Sequence, residues 1–426
     1  MSGQIVFLSL FLGLVSGPQP IDLHVDGAIK SVRILVDGRE VRTLSQPPWH
    51  AVLDFGKDIV PRELVAVGYD SNGNEAGRAV QILNIPRPTA EFEIVLERGN
   101  AAATLRWRHL TNARPTRATM TVDGTPVPVD GSFRAVLPTL DPEVPHVIAA
   151  QLHFADGFIA RREFVLSGGV SDNIGSQLTP IAVRATSAGA PRSFEGCFSV
   201  HGAAVRTAAV EKPRGLVVIV QDPDPRAARL LARLWNRDPL TRTAIFGSDI
   251  AEEIIWPIAQ RFGDATQTSV VFEHTEDIDA ATNPVVSVLT MAYAGTHSSS
   301  QPLQFADAVA VAGVKAVAGG LRRAVVLVAS DTGDASRHDP LVVRHYLASI
   351  GVPLFVWSLH ERQDLGATWG EVEDISSPSD LRRAVERVRA ALNSQRIAWV
   401  AADPLTALHL DIDPHCGIAP LVRPGS

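Results

Sequence analysis

Leu216-Val217-Val218-Ile219-Val220-Gln221-Asp222-Pro223-Asp224-Pro225-Arg226 decides how the second half of this chain is read. Consecutive aliphatic residues without polar alternation make a strand buried on both faces, the kind found inside parallel sheets. The strand runs into two carboxylates, and in an open α/β sheet ligands are held outside the carboxyl ends of the strands. Asp222 and Asp224 are therefore the first candidates for a binding or catalytic role. Taken alone they also have a plainer reading as helix N-caps, with Pro223 and Pro225 setting the turn.

Outward from this strand the pattern alternates between helix and strand. Ala227, Leu230, Leu231 and Leu234 fall on one face of a helix expected over 226–235. A strand is expected at 285–291, a helix at 305–318 and a second buried strand at 324–331. A helix at 340–350 runs into Gly351, placed to cap it, and then into a strand at 353–357. A helix at 379–392, with Ser379 as its N-cap, closes the series. This alternation implies a doubly wound, Rossmann-like parallel sheet with helices on both faces.

The first third has a different rhythm, organised by an internal repeat. Ile34-Leu35-Val36-Asp37-Gly38-Arg39-Glu40-Val41 is echoed 86 residues later by Met120-Thr121-Val122-Asp123-Gly124-Thr125-Pro126-Val127. Each copy is a strand, an Asp-Gly turn and a return strand, a strong hairpin signal. Trp49–Leu53 then aligns with Phe133–Leu137, and later strands follow Asn72-Gly73 and Asp156-Gly157. Short strands at this spacing indicate two immunoglobulin-type β-sandwiches. The Pro-bounded Ile85-Pro86-Arg87-Pro88 separates them, because proline interrupts a ladder. A third, shorter hairpin is expected at Phe198–Val205.

With 46% hydrophobic residues, 20% charged residues and a net charge of -7, the composition is that of a folded, mildly acidic protein of several domains. No basic run or aromatic-interleaved patch is present, so nucleic acid is not an expected partner. The apolar run Ile5–Val15 has the length of a signal-peptide core and is too short for a membrane-spanning helix. It lacks a preceding Lys or Arg, and a hydrophobic first strand is the alternative reading. Export to a periplasmic or extracellular location is the expectation, with no integral membrane span beyond this segment. Cys197 and Cys416 allow one disulfide in an oxidising compartment, or two unrelated thiols.

The second half resembles the bacterial von Willebrand factor A-related proteins. The resemblance covers about residues 195–426 and rests on four places. Leu321–Asp331 is similar to that family's fourth strand and its aspartate, and Gly351–Trp357 to the next strand. The hairpin Phe198–Val205 and the end from Ile397 to Gly425 are similar to the β units flanking the domain. The family's metal-ion-dependent adhesion site combines Asp-x-Ser-x-Ser, a loop Thr and a last Asp. The resemblance carries these roles to Asp222, Thr296 and Asp331. Both serines are replaced, by Asp224 and Arg226, so the implied site is degenerate.

Three carboxylates and one guanidinium leave the protein's charge there at -2, as in the usual site. A unit positive charge about 4 Å from another costs about 4 kcal/mol at an effective dielectric near 20, and a divalent metal carries two. An inward Arg226 therefore displaces the cation and pairs with a carboxylate. An outward Arg226 leaves Asp222, Asp224, Thr296 and Asp331 as oxygen ligands for Mg²⁺. The resulting expectation is a binding rim of Asp222, Asp224, Arg226, Thr296 and Asp331 that recognises a protein ligand, without catalysis and with Mg²⁺ as the only cofactor in question.

A rival reading uses the same aspartates. Haloacid-dehalogenase-like phosphatases also place Asp-x-Asp after a hydrophobic strand, one as nucleophile and one as general acid. Thr290 would hold the phosphate, Lys315 would neutralise it, and Asp331 with Asp334 would hold Mg²⁺. Pro223 and Pro225 speak against it, since that loop needs backbone amides at the phosphate. His409, Asp411, Asp413, His415 and Cys416 look like metal ligands, yet the first three alternate with Leu408, Leu410 and Ile412 as the two faces of a strand, which makes a solvated face the expectation. The expected organisation is a leader at 1–17, sandwiches at 18–87 and 88–168, a hairpin unit at 169–213, the α/β domain at 214–395 and a terminal hairpin or tail at 396–426.

Overall fold

The computed structural model describes residues 4–9, 11, 13–85, 88, 90–97, 100–109, 112–141, 144–155, 158–166, 174–186, 194–223, 246–262, 269–274, 302–329, 333–359 and 363–422. Several antiparallel sheets accompany one sheet in which five strands run parallel. The quoted apolar run is the centre of that sheet. Gly215–Gln221 is buried at every position. It pairs in parallel with Ile250–Phe262 on one side and Arg322–Ala329 on the other. Leu354–Ser358 and Val372–Asp374 extend the second side in parallel, and Ser269–His274 closes the first side antiparallel.

The missing alternation has a direct cause. Leu216, Val218 and Val220 enter one core with the helices Phe305–Ala318 and Pro340–Ser349, while Val217 and Ile219 enter a second core with the helix Pro378–Ser394. A strand covered on both faces has no face left for polar residues. The helix expected at 340–350 ends at Ser349 and closes with Gly351 at φ 64°. The Gly351 amide donates to Ala348 O (3.1 Å) and the Val352 amide to Leu347 O (2.9 Å), the paired bonds of a Schellman closure. The last helix is longer than expected, and its cap is Ser377 rather than Ser379. Pro378 explains the shift, because proline is favoured at the first helical position and the residue before it becomes the cap. The helix expected at 226–235 and the strand expected at 285–291 lie outside the described residues.

The two N-terminal units repeat one topology. In the first, Ile5–Phe7, Pro18–Val25 and His50–Asp54 form one sheet, and Arg39–Leu44, Ser31–Val36, Arg62–Tyr69 and Glu75–Leu83, in that order, form the other. Both sheets share a single core. In the second unit, Ala90–Leu96, Ala102–His109 and Arg134–Val136 face a sheet ordered Thr125–Val127, Arg117–Val122, His146–His153, Ile159–Leu166 and Ile174–Gln177. The Asp-Gly turns have positive φ at both residues, 51° and 74° at Asp37-Gly38 and 49° and 78° at Asp123-Gly124. That is the backbone a two-residue hairpin loop requires. Each turn aspartate also holds the next strand: Asp37 Oδ1 accepts from the Glu63 amide (2.9 Å) and Asp123 Oδ1 from the Val147 amide (2.8 Å).

Two stretches of this region depart from the sequence reading. Ile5–Phe7, inside the segment expected as a leader, is an edge strand, and Ile5, Phe7 and Val15 are buried in the first core. Val6 and Leu8 are exposed, but they are apolar too, so the alternation is invisible in the sequence. The last strand of the second unit, Ile174–Gln177, lies past the boundary expected at 168.

The segments on either side of the α/β domain build one further β module. Thr179–Ala185 and Thr207–Glu211 precede the domain and Gln395–Val400 and Ile418–Pro420 follow it, yet all four strands share a sheet. A second small sheet joins Phe198–Val200 and Ala203–Val205 to Asp411–Ile412. Both sheets enclose one core, and a disulfide links Cys197 to Cys416 with Cα atoms 5.9 Å apart. The α/β domain is thus inserted into a β module whose halves meet only after the domain has been traversed. Among the described residues, no helix is long and apolar enough to cross a membrane.

Candidate functional site

The order of the parallel sheet marks the place where open sheets of this kind hold ligands. Numbered within the domain, its strands run 3-2-1-4-5-6, and the chain reverses direction between the first strand, Gly215–Gln221, and the fourth, Arg322–Ala329. At such a switch point the loops diverge to opposite faces and open a crevice outside the carboxyl ends. Asp222 is the first residue beyond the central strand. Its amide donates to Val328 O (3.0 Å) across the switch point, and the residue is 1% exposed. The neighbouring Gln221, also buried, donates from Nε2 to Asp222 O (3.0 Å). Asp222 is therefore buried at the carboxyl end of the central strand.

The remaining residues expected at the rim, Asp224, Arg226, Thr296 and Asp331, lie outside the described residues, as does Thr290. Asp222 supplies one hard oxygen donor of the type Mg²⁺ takes. Among the described residues, no group of three or more His, Cys, Asp or Glu is placed to hold a metal ion. The C-terminal His/Asp/Cys set is spent elsewhere. Cys416 is in the disulfide, Asp413 caps a short 3₁₀ turn by accepting from the His415 amide (2.8 Å), and Asp411 belongs to an edge strand.

Two residues of the phosphatase reading are committed to structural partners. Lys315 is ion-paired with Glu253 at 2.7 Å, and Glu253 lies opposite Val218, well short of the strand end that carries Asp222. Asp334 caps the helix Phe305–Ala318, accepting from the amides of Phe305 (2.9 Å) and Ala306 (3.2 Å) and from the Ser336 side chain.

The same end of the sheet carries an arrangement that sequence reasoning missed. His338 Nδ1 lies 2.6 Å from Asp307 Oδ1, and His338 Nε2 lies 2.9 Å from Ser16 Oγ. Burial pushes the Asp307 carboxyl up, but the His338 ring and the Arg337 and His338 amides outweigh it and hold its pKa below the ordinary value. A hydroxyl, imidazole and carboxylate in series is the geometry of an activated nucleophile. Here Ser16 is 5% exposed. Its neighbour Val15 is clamped by Asn84, whose Oδ1 accepts the Val15 amide (2.6 Å) and whose Nδ2 donates to Val15 O (2.9 Å). Tyr346 of the α/β domain donates to Asn84 O (3.2 Å). The series joins the first sandwich to the α/β domain. Ser16, Asp307 and His338 are too far apart in sequence for any spacing rule to group them.

No family model matches the chain, and no curated protein matches it. Solved structures similar to it include a von Willebrand factor type A protein from Catenulispora acidiphila, 12% identical, covering 66% of this chain and 51% of its own, with a TM-score of 0.29. The SpRpn10 VWA domain is 12% identical over 41% of this chain and 95% of its own, with a TM-score of 0.25. Fibronectin(III)-like modules of Clostridium thermocellum CbhA are 16% identical over 38% of this chain and 91% of their own, with a TM-score of 0.17. The fold itself rests on the strand orders and cores described above.

Proposed function

We propose that this chain is an exported, non-enzymatic binding or scaffold protein, in which a degenerate von Willebrand factor A-type domain on immunoglobulin-like modules recognises a protein partner. The recognition surface is the rim formed by the loops after Asp222, Thr296 and Asp331. The observation that carries the reading is the 3-2-1-4-5-6 sheet with Asp222 at its switch point. The Cys197–Cys416 bridge supports an oxidising periplasmic or extracellular compartment. Lys315 and Asp334 are held by Glu253 and a helix terminus, which leaves the phosphatase reading without an observation in its favour.

Asp222, Asp224, Thr296 and Asp331 are the residues that would hold Mg²⁺, and Arg226 is the charge that opposes it. The test compares the full chain with Asp224→Lys/Thr296→Lys as bait in cell-envelope extracts. The wild type is expected to retain a partner that the variant loses at unchanged melting temperature, and equal capture contradicts the rim. Mg²⁺ is expected to leave the wild type unchanged and to stabilise Arg226→Ser, by about 2.7 kcal/mol at a hundredfold excess over Kd. If the wild type and Arg226→Ser are both indifferent to Mg²⁺ and Mn²⁺, the site is not a metal site in either form.

A further inference from the structure

The outer face of the larger sheet in the second sandwich collects positive charge by simple alternation. In the ladder between Arg117–Val122 and His146–His153, Arg117 lies opposite His153 and Thr119 opposite Gln151. In the next ladder, Arg161 lies opposite Gln151. Met120, Ile148, Ala150 and Leu152 point the other way into the sandwich core, so the period of two sends Arg117, Thr119, Gln151, His153 and Arg161 to one surface. That surface meets the end of Thr207–Glu211 and Lys212 of the inserted-domain module. A cleft of about 400 Å³ remains between them, lined by Arg117, Thr119, Gln151, His153, Glu211 and Lys212.

The charges in the cleft do not balance. Its acid, Glu211, is already occupied at both oxygens: Arg161 pairs with Oε1, to which one Gln151 Nε2 hydrogen also points at 3.5 Å, and the Trp399 indole donates to Oε2 (3.0 Å). Arg161 also lies over the Trp399 ring, 5.8 Å from its centroid, which fixes that pair in place. Arg117 and Lys212 have no ion-pair partner among the described residues. The carboxylate that Lys212 feels at longer range, Asp249, is bound to Arg322. Two guanidinium or ammonium groups, an imidazole, a hydroxyl and an amide thus converge on one cleft in a protein whose net charge is -7.

We infer that this cleft is a binding site for a tetrahedral oxyanion of the phosphate or sulfate type, held by Arg117 and Lys212 with Thr119 and Gln151 as neutral donors. Arg117 supplies the planar fork suited to two anion oxygens, and Lys212 a point charge. His153 reports on occupancy. Burial and the nearby Arg117 and Arg161 hold its pKa below the ordinary histidine value. A bound dianion adds the opposite influence and raises it. The site is at a module junction, away from the switch point of the parallel sheet, and stands or falls independently of the rim.

The experiment follows the His153 imidazole resonances of the full chain by NMR while inorganic phosphate or methyl phosphate is added at constant ionic strength. A saturable shift with a raised His153 pKa is expected, and Arg117→Gln is expected to weaken binding at least about tenfold, the loss of its charge-assisted hydrogen bonds to two anion oxygens. Arg117 and Lys212 are exposed, so an unchanged melting temperature separates lost binding from lost fold. Binding of both probes assigns the cleft to the terminal group of a monoester, and binding of inorganic phosphate alone assigns it to the free ion. No saturable shift in the wild type, or the same shift in Arg117→Gln/Lys212→Gln, overturns the site.

Discussion

Replacing both Cys197 and Cys416 by alanine is expected to destabilise the module that carries the α/β domain by about 5 kcal/mol, the chain-entropy value for so long a loop. The two cysteines are 219 residues apart, and every contact between the halves of this module has to be made across that separation. Thr179–Ala185 pairs along its length with Gln395–Val400, so an opened bridge lets the whole inserted domain act as a floppy tether between two strands that must find each other. Alanine is the informative replacement, because Cys197 is 4% exposed and a serine hydroxyl there adds an unpaired buried group. The measurement is amide exchange of Thr179–Ala185 and Gln395–Val400 with the bridge intact, reduced and deleted. Faster exchange there, with the parallel sheet less affected, is the expected pattern. Equal protection in all three forms means that the bridge contributes nothing to the module.

Arg322→Ala is expected to cost about 2–4 kcal/mol, because it leaves carbonyls of the interior unpaired; its ion-pair partner Asp249 is exposed, so the charge itself contributes little. Arg322 is 1% exposed at the start of the fourth strand of the parallel sheet. Its Nε donates to Pro213 O (2.5 Å), Nη1 to Leu392 O (3.3 Å), and Nη2 pairs with Asp249. One guanidinium therefore ties the entry into the domain, the end of its last helix and the start of its second strand. Alanine strands two carbonyls that are worth about 1–3 kcal/mol each when left unpaired in the interior. Arg322→Met retains most of the volume and is expected to lose less than alanine, which separates packing from polar pairing. Denaturant midpoints of the three proteins read the difference, and a shift below about 0.5 kcal/mol for alanine, the scale of an ordinary surface change, rules out this role.

Local signals in the sequence carried much of this structure. The unbroken run Leu216–Val220 announced a strand covered on both sides, and the two cores that divide its side chains are the reason the run is unbroken. The Asp-Gly repeats foretold hairpins because few residue pairs tolerate two positive φ values in succession. Gly351 foretold its helix end for the same reason. The N-cap was read two residues late, at Ser379, because the weight of Pro378 as the first helical residue was missed; the cap is Ser377.

What could not be read depends on partners distant in sequence. Thr179–Ala185 and Gln395–Val400 are each short apolar stretches, and nothing in either names the other. The edge strand Ile5–Phe7 is apolar on both faces, so nothing in its sequence shows that it pairs with Leu23–Val25. At the candidate site the reading placed Asp222 correctly at the end of the central strand, where its amide bridges to Val328. It missed the contact of Ser16, His338 and Asp307, which exists only because the first sandwich is seated against the inserted domain.

In the proposed function Asp222 marks a binding rim and not a catalytic centre. Hydrolysis of p-nitrophenyl phosphate by the full chain in Mg²⁺, set beside Asp222→Asn, tests it most directly. No turnover in the wild type above that of the variant is expected. Mg²⁺-dependent turnover that Asp222→Asn abolishes would contradict it and make the same aspartate a nucleophile.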